Sequence, residues 1–147
     1  NSGFRITGVA GWKNEWVVVM NTETKFGAQR YTLPTPLNDS RKEWIKQRWN
    51  EGFRITSVGG DDDPEQEEDG WLFVMTQNSG LQEQTFSEPG PWPAQWIEEN
   101  SKNGFAVTSV AGCNDHVIVV MSKGTTLKEQ DSSPAGLYPV DWIKERW

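Results

Sequence analysis

Cysteine and histidine are almost missing from this chain: its 147 residues hold one of each, Cys113 and His116. A lone cysteine excludes an intrachain disulfide and any Cys-based zinc site, and it points to a reducing compartment or to indifference to redox state. Basic residues are scarce too. Fourteen Lys and Arg against 21 Asp and Glu give a net charge of -7, which argues against the phosphate-backbone binding that clustered cations supply. Nucleic acid is not an expected partner. No apolar run reaches the roughly 18 residues that mark a membrane span, and no signal peptide opens the chain. Membrane insertion is therefore not expected, and an intracellular location is, whether cytoplasm, nucleus or organelle interior.

Tryptophan, by contrast, is abundant. Nine indoles in a chain of this length call for repeated core anchors or for a stacking surface that holds a ligand. The length is that of one domain, able to bury about two thirds of its unfolded surface without a disulfide framework.

The sequence repeats three times. Gly3-Phe4-Arg5-Ile6-Thr7-Gly8-Val9-Ala10-Gly11 recurs from Gly52 to Gly60 and again from Gly104 to Gly112. Met20, Met75 and Met121 each close an apolar run, and nine residues after each stands a glutamine, Gln29, Gln84 and Gln130. Trp44, Trp96 and Trp142 each begin a Trp-Ile pair. A period near 50 residues means a supersecondary unit that buries its apolar faces only against copies of itself. The chain reads as a single repeat domain, 1–147, with units 1–51, 52–103 and 104–147.

Within each unit a β-branched and aromatic stretch such as Phe53-Arg54-Ile55-Thr56-Ser57-Val58, closed by glycine, predicts a first strand. Trp16–Met20, Trp71–Met75 and Val117–Met121 are continuous apolar runs, the pattern of a second strand covered on both faces. A polar stretch around each glutamine predicts a third strand at a sheet edge. Arg41–Trp49, Ala94–Asn100 and Val140–Trp147 space Trp and Ile as short helices do, with Asp39 or Ser40 and Asp141 as candidate caps. The expected fold is mainly β with short helices: three tandem β-β-β-α repeats in a propeller-like ring or a short solenoid, with a β-trefoil ranked behind both. The units are whole, so either the array continues in a longer chain or copies close it as a homo-oligomer.

Trp44 to Val58, with Val119-Val120-Met121-Ser122-Lys123-Gly124-Thr125, resembles the repeat found C-terminal to the catalytic domain of plant nuclear casein-kinase-I-like serine/threonine kinases. Similar repeats stand beside caspase-like peptidase domains in bacteria and algae. The resemblance covers the whole chain and implies a non-catalytic accessory module. It carries no kinase activity here, because the Gly-rich loop, His-Arg-Asp and Asp-Phe-Gly are all missing. The second unit departs from the pattern, with Ser101 where the others have Trp49 and Trp147 and with an acidic insertion from Asp61 to Asp69.

No residue set supports catalysis. His116 has Glu15 and Gly70 as counterparts and reads as a loop residue. The acidic run lacks the glycine and terminal glutamate of a helix-loop-helix calcium site, and no carboxylate pair stands out as a glycosidase dyad. No metal, cofactor or catalytic residue is expected. Trp44, Trp49, Trp96, Trp142 and Trp147 recur on the helices and read as wedges between units. Trp12, Trp16, Trp71 and Trp92 are less regular and, with Asp61, Asp62, Asp63, Glu67 and Glu68, are the candidate partner-binding residues. The expected function is a protein-interaction or scaffolding module for a partner that the acidic loop would favour as basic. A lectin-like carbohydrate-binding module is the alternative.

Overall fold

A computed structural model describes residues 3–22, 24–62, 69–127, 129–133 and 139–146. The strands are β1 (Arg5–Trp12), β2 (Glu15–Asn21), β3 (Gln29–Tyr31), β4 (Phe53–Asp61), β5 (Gly70–Gln77), β6 (Gln84–Phe86), β7 (Ala106–Cys113) and β8 (His116–Ser122). The helices are α1 (Asp39–Asn50), α2 (Ala94–Lys102) and α3 (Val140–Arg146). Among the described residues the molecule is thus mainly β with three short helices. Its strands form three small sheets, ordered β1-β2, β3-β5-β4 and β6-β8-β7, and no closed barrel or ring.

That order changes the meaning of the sequence period. Each third strand is an edge strand, but it pairs with the second strand of the following unit: Gln29, Arg30 and Tyr31 face Thr76, Met75 and Val74, and Gln84, Thr85 and Phe86 face Ser122, Met121 and Val120. Each three-stranded sheet is therefore built from two sequence repeats, while β1-β2 comes from the first alone. Around Gln130 the described residues form no strand.

The first strands run one residue past their glycines, to Trp12, Asp61 and Cys113, rather than ending at them. In β1 the turn is Lys13-Asn14, with φ of 44° and 64°, the left-handed pair that a two-residue hairpin needs. Each first strand also carries a bulge at its repeated threonine, between Ile6 and Gly8, Ile55 and Ser57, and Val107 and Ser109. The freed Thr56 and Thr108 hydroxyls lie 2.8 Å and 2.7 Å from those of Thr76 and Ser122, and Asn21 Nδ2 donates to Thr7 Oγ1 at 2.6 Å. This accounts for the invariant Ile/Val-Thr step.

The first strands also pack side by side, β4 between β1 and β7. Their contact is backbone on backbone. A Cβ on Gly11 would stand 2.8 Å from Gly60 O, and one on Gly60 would stand 2.5 Å from Gly112 O. The repeated glycine is there because neighbouring units touch at that point.

The core lies between the second and third sheets. Trp71, Phe73 and Met75 from β5 share one buried cluster with Ile118 and Val120 from β8 and with Ile45 of α1. Burying side chains of this size contributes about 1.5–3 kcal/mol each. Trp49 acts as the wedge its recurrence predicted. Its ring sits 5.8 Å from Phe86, and its Nε1 donates to Gln84 Oε1 at 3.1 Å.

Two expectations need correction. Asn38 caps α1, its side chain accepting from the Arg41 N–H at 3.0 Å, with Asp39 and Ser40 inside the helix; Asp141 likewise lies inside the first turn of α3. And β2 is not covered on both faces. Val17, Val18, Val19 and Met20 are about half exposed, whereas Phe73, Val74, Met75, Val119, Val120 and Met121 are sealed at 0%. The difference follows from pairing: β5 and β8 each have a neighbour on both edges, and among the described residues β2 has one.

Candidate functional site

The hairpin-turn end of the three sheets gathers most of the candidate residues. Asp61 closes β4, and its carboxylate accepts the Asn14 N–H at 2.8 Å while Asp62 accepts the Lys13 N–H at 2.7 Å. Two successive backbone N–H groups in left-handed conformation form a concave anion site. The second unit fills it with its own acids. Asp61 is 4% exposed, so it holds two units together and presents nothing to a partner.

The other end of the acidic connection grips the third unit. Asp69 accepts from Asn114 Nδ2 at 2.8 Å, from Cys113 Sγ at 3.2 Å and from His116 Nδ1. Cys113 Sγ also lies 2.9 Å from Asp61 O, so its single proton is shared between the two acceptors. The acidic insertion is thus anchored at both ends. Asp63, Glu67 and Glu68 lie outside the described residues.

Cysteine, histidine and aspartate side by side invite comparison with a nucleophile site, but the order is wrong. Asp69 stands between the thiol and the imidazole, where a base-activated cysteine needs the imidazole against sulfur. Burial, the Asp69 hydrogen bond and the nearby carboxylates push the Cys113 thiol up to about 12. It stays protonated at neutral pH and is a poor nucleophile. Among the described residues no group of three His, Cys, Asp or Glu side chains is placed to hold a metal ion.

Burial raises the Asp69 pKa, but hydrogen bonds from His116, Asn114 and Cys113 outweigh it and leave the carboxyl below its ordinary value. A depressed folded-state pKa contributes stability that is complete above the unfolded value, about 3.9, and is lost as pH falls through the folded one. Urea midpoints of the wild-type chain should therefore drop on acidification below about pH 4, and the Asp69→Asn variant should show a shallower drop. Equal slopes would show that the carboxylate is not the acid-sensitive latch.

The tryptophans divide. Trp71 is 1% exposed, its ring over Gly60 and its backbone bridged to Thr35. Trp16 is half-buried with its ring against Gly11 and Gly59, so it joins the first two units. Both are wedges that the irregular spacing disguised. Trp12 and Trp92 remain open, at 45% and 37% exposure. Trp12 sits at the β1 turn. Trp92 follows Gly90, which bridges to Val117 next to His116, so both indoles lie at the turn end of the sheets.

At that end a groove of about 340 Å³ is lined by Leu37, Trp71, Pro89, Asp69 and His116 among others. Sequence reasoning missed it because its walls come from three units. The bridges Thr35–Trp71 and Gly90–Val117 align Leu37 with Trp92, and that correspondence was the one available signal. A larger groove of about 500 Å³ lies between Thr56, Leu81 and Leu127, and among the described residues no charged side chain lines it.

No described helix is long and apolar enough to cross a membrane. Residues 1–147 match the family described as Domain of unknown function (DUF7477), and the chain belongs to that family. A comparison with curated proteins returned no match.

Proposed function

We propose that this DUF7477 chain is a non-catalytic protein-binding module built of three tandem β-β-β-α units, phased as part of a propeller-like ring or a short solenoid. The observation that carries the reading is the turn end of the sheets. Two exposed indoles, Trp12 and Trp92, stand at an end whose acids Asp61 and Asp62 are already engaged in joining units. Exposed aromatic side chains on a rigid frame are what interface hot spots are made of. The Cys113 thiol, held protonated, supports a role without covalent chemistry. The resemblance to repeats beside kinase and peptidase domains fits a module that places a partner near a neighbouring catalytic domain.

Affinity capture with the wild-type chain and with a Trp12→Ala/Trp92→Ala variant, read by quantitative mass spectrometry, tests this. The expected result is a discrete set of proteins depleted at least about tenfold by the variant, with the melting temperature within a few degrees of wild type. A capture profile identical in both chains would overturn the reading. Binding of both chains to a glycan array with loss in the variant would transfer the surface to the lectin-like alternative.

A further inference from the structure

Both internal junctions of the molecule are made by one device. Thr32 donates its N–H to Phe73 O at 3.0 Å and accepts the Phe73 N–H on its hydroxyl at 2.9 Å; Ser87 does the same with Val119, at 2.9 Å and 3.0 Å. Three residues earlier in each case a glutamine clasps the first strand of its own unit and the second strand of the next. Gln29 accepts the Ile6 N–H at 2.8 Å and donates to Ile6 O and Thr76 Oγ1, both at 2.9 Å. Gln84 accepts the Ile55 N–H at 2.7 Å and donates to Ile55 O and Ser122 Oγ, both at 2.8 Å.

The third copy of this device is half made. Gln130 accepts the Val107 N–H and donates to Val107 O, both at 2.6 Å, and its second amide hydrogen has no acceptor among the described residues. Ser133 stands where Thr32 and Ser87 stand, and α3 carries the Trp142-Ile143 pair where α1 carries Trp44-Ile45. None of the described α3 residues is buried, as is also true of α2, whereas Ile45 of α1 is sealed. The complementary half is at the other end of the molecule. Val18 occupies the Phe73 and Val119 position, and Asn21 that of Thr76 and Ser122. Asn21 already donates to Thr7, which leaves its carbonyl oxygen as an acceptor.

We propose that the outer edge of β2 is an acceptor for Gln130–Ser133 and α3 of a second copy of this chain, joined head to tail in the register of the internal junctions. Gln130 then lies opposite Asn21, Asp131 opposite Met20 and Ser132 opposite Val19. Ser133 makes the paired bonds with Val18, and Ile143 covers the apolar side chains of β2. Continuity with two junctions already present in the molecule selects this occupant over an unrelated strand. Ser132 replaces the aromatic Tyr31 or Phe86, so the contact is weaker than the internal ones and concentration-dependent. It is heterologous, with a different surface on each copy, and it does not depend on the partner surface at Trp12 and Trp92.

The test is light scattering on the 147-residue chain in dilution from about 1 mM, where even a millimolar contact is about two-fifths formed. The wild-type mass should rise reversibly above the 16.7 kDa chain mass. In Val18→Pro the acceptor loses the N–H that faces away from β1, a position where an edge strand tolerates proline. In Ile143→Asp the donor helix loses its apolar contact. Each variant alone should stay at the chain mass, and an equal mixture should form a species of twice that mass, because it still contains one intact acceptor and one intact donor. Circular dichroism on both variants, with Val18→Lys as a second acceptor variant, separates lost association from lost fold. A wild-type chain that stays monomeric, association that survives Val18→Pro and Val18→Lys, or a mixture that stays at the chain mass overturns the proposal.

Discussion

Gly60→Ala should lower the stability of the chain by about 3 kcal/mol, near the upper end of what one added methyl does in a packed interior. The position is unremarkable as backbone, since its φ is not in the left-handed region. Space decides it. The new methyl would stand 2.5 Å from Gly112 O, 2.9 Å from the Trp71 ring and 3.0 Å from Cys113 Cβ. A carbonyl oxygen in the neighbouring first strand cannot swing aside as a lysine tip can, so β4 and β7 must separate and the hydrogen bonds of Cys113 and Asp61 go with them. A melting temperature lower by roughly 10 °C is expected for a chain of this size. Gly90→Ala is the control, because a Cβ there meets nothing within 4 Å. It should stay within about 0.5 kcal/mol of wild type, and equal losses at the two positions would remove the backbone contact as the cause.

Gln84→Ala should cost a similar amount, about 3 kcal/mol. The side chain takes part in four hydrogen bonds: from the Ile55 N–H and Trp49 Nε1 to its oxygen, and from its nitrogen to Ile55 O and Ser122 Oγ. Truncation strips a partner from groups in three units at once, and a half-buried polar group left unpaired costs about 1–3 kcal/mol. Gln130→Ala is the internal comparison. It removes two bonds of the same kind at an exposed position, where water takes over, so a loss below about 1 kcal/mol is expected. Chemical denaturation of both variants reads the difference directly. If Gln130→Ala proved as costly as Gln84→Ala, the role of Gln84 as a junction between units would be lost.

The same glutamines show how much of the architecture was legible. Their fixed distance from Met20, Met75 and Met121 marked a rigid stretch, and the apolar runs, turns and Trp-Ile helices placed every strand and helix found among the described residues. The spacing did not say which sheet the third strand enters, because a glutamine nine residues after a methionine serves equally well folding back on its own hairpin or reaching the next. The candidate site was read less well. Asp61 stood among the partner-binding candidates because aspartate is usually solvated, yet the Asn14 N–H makes its burial favourable, and Asp62 beside it takes the Lys13 N–H. Trp16 and Trp71 looked irregular because their counterpart Val117 is small, not because their environments differ in kind.

The order of the strands and helices and the repetition itself follow from local rules: β-branched runs, Trp-Ile spacing in the helices and a period too long for one unit to bury alone. Pairing between β3 and β5 and between β6 and β8, the stacking of Gly11, Gly60 and Gly112, and the exposure of β2 were decided only in three dimensions. A strand edge satisfies its hydrogen bonds with whichever neighbour the packing brings within reach, and neither composition nor spacing encodes which one that is.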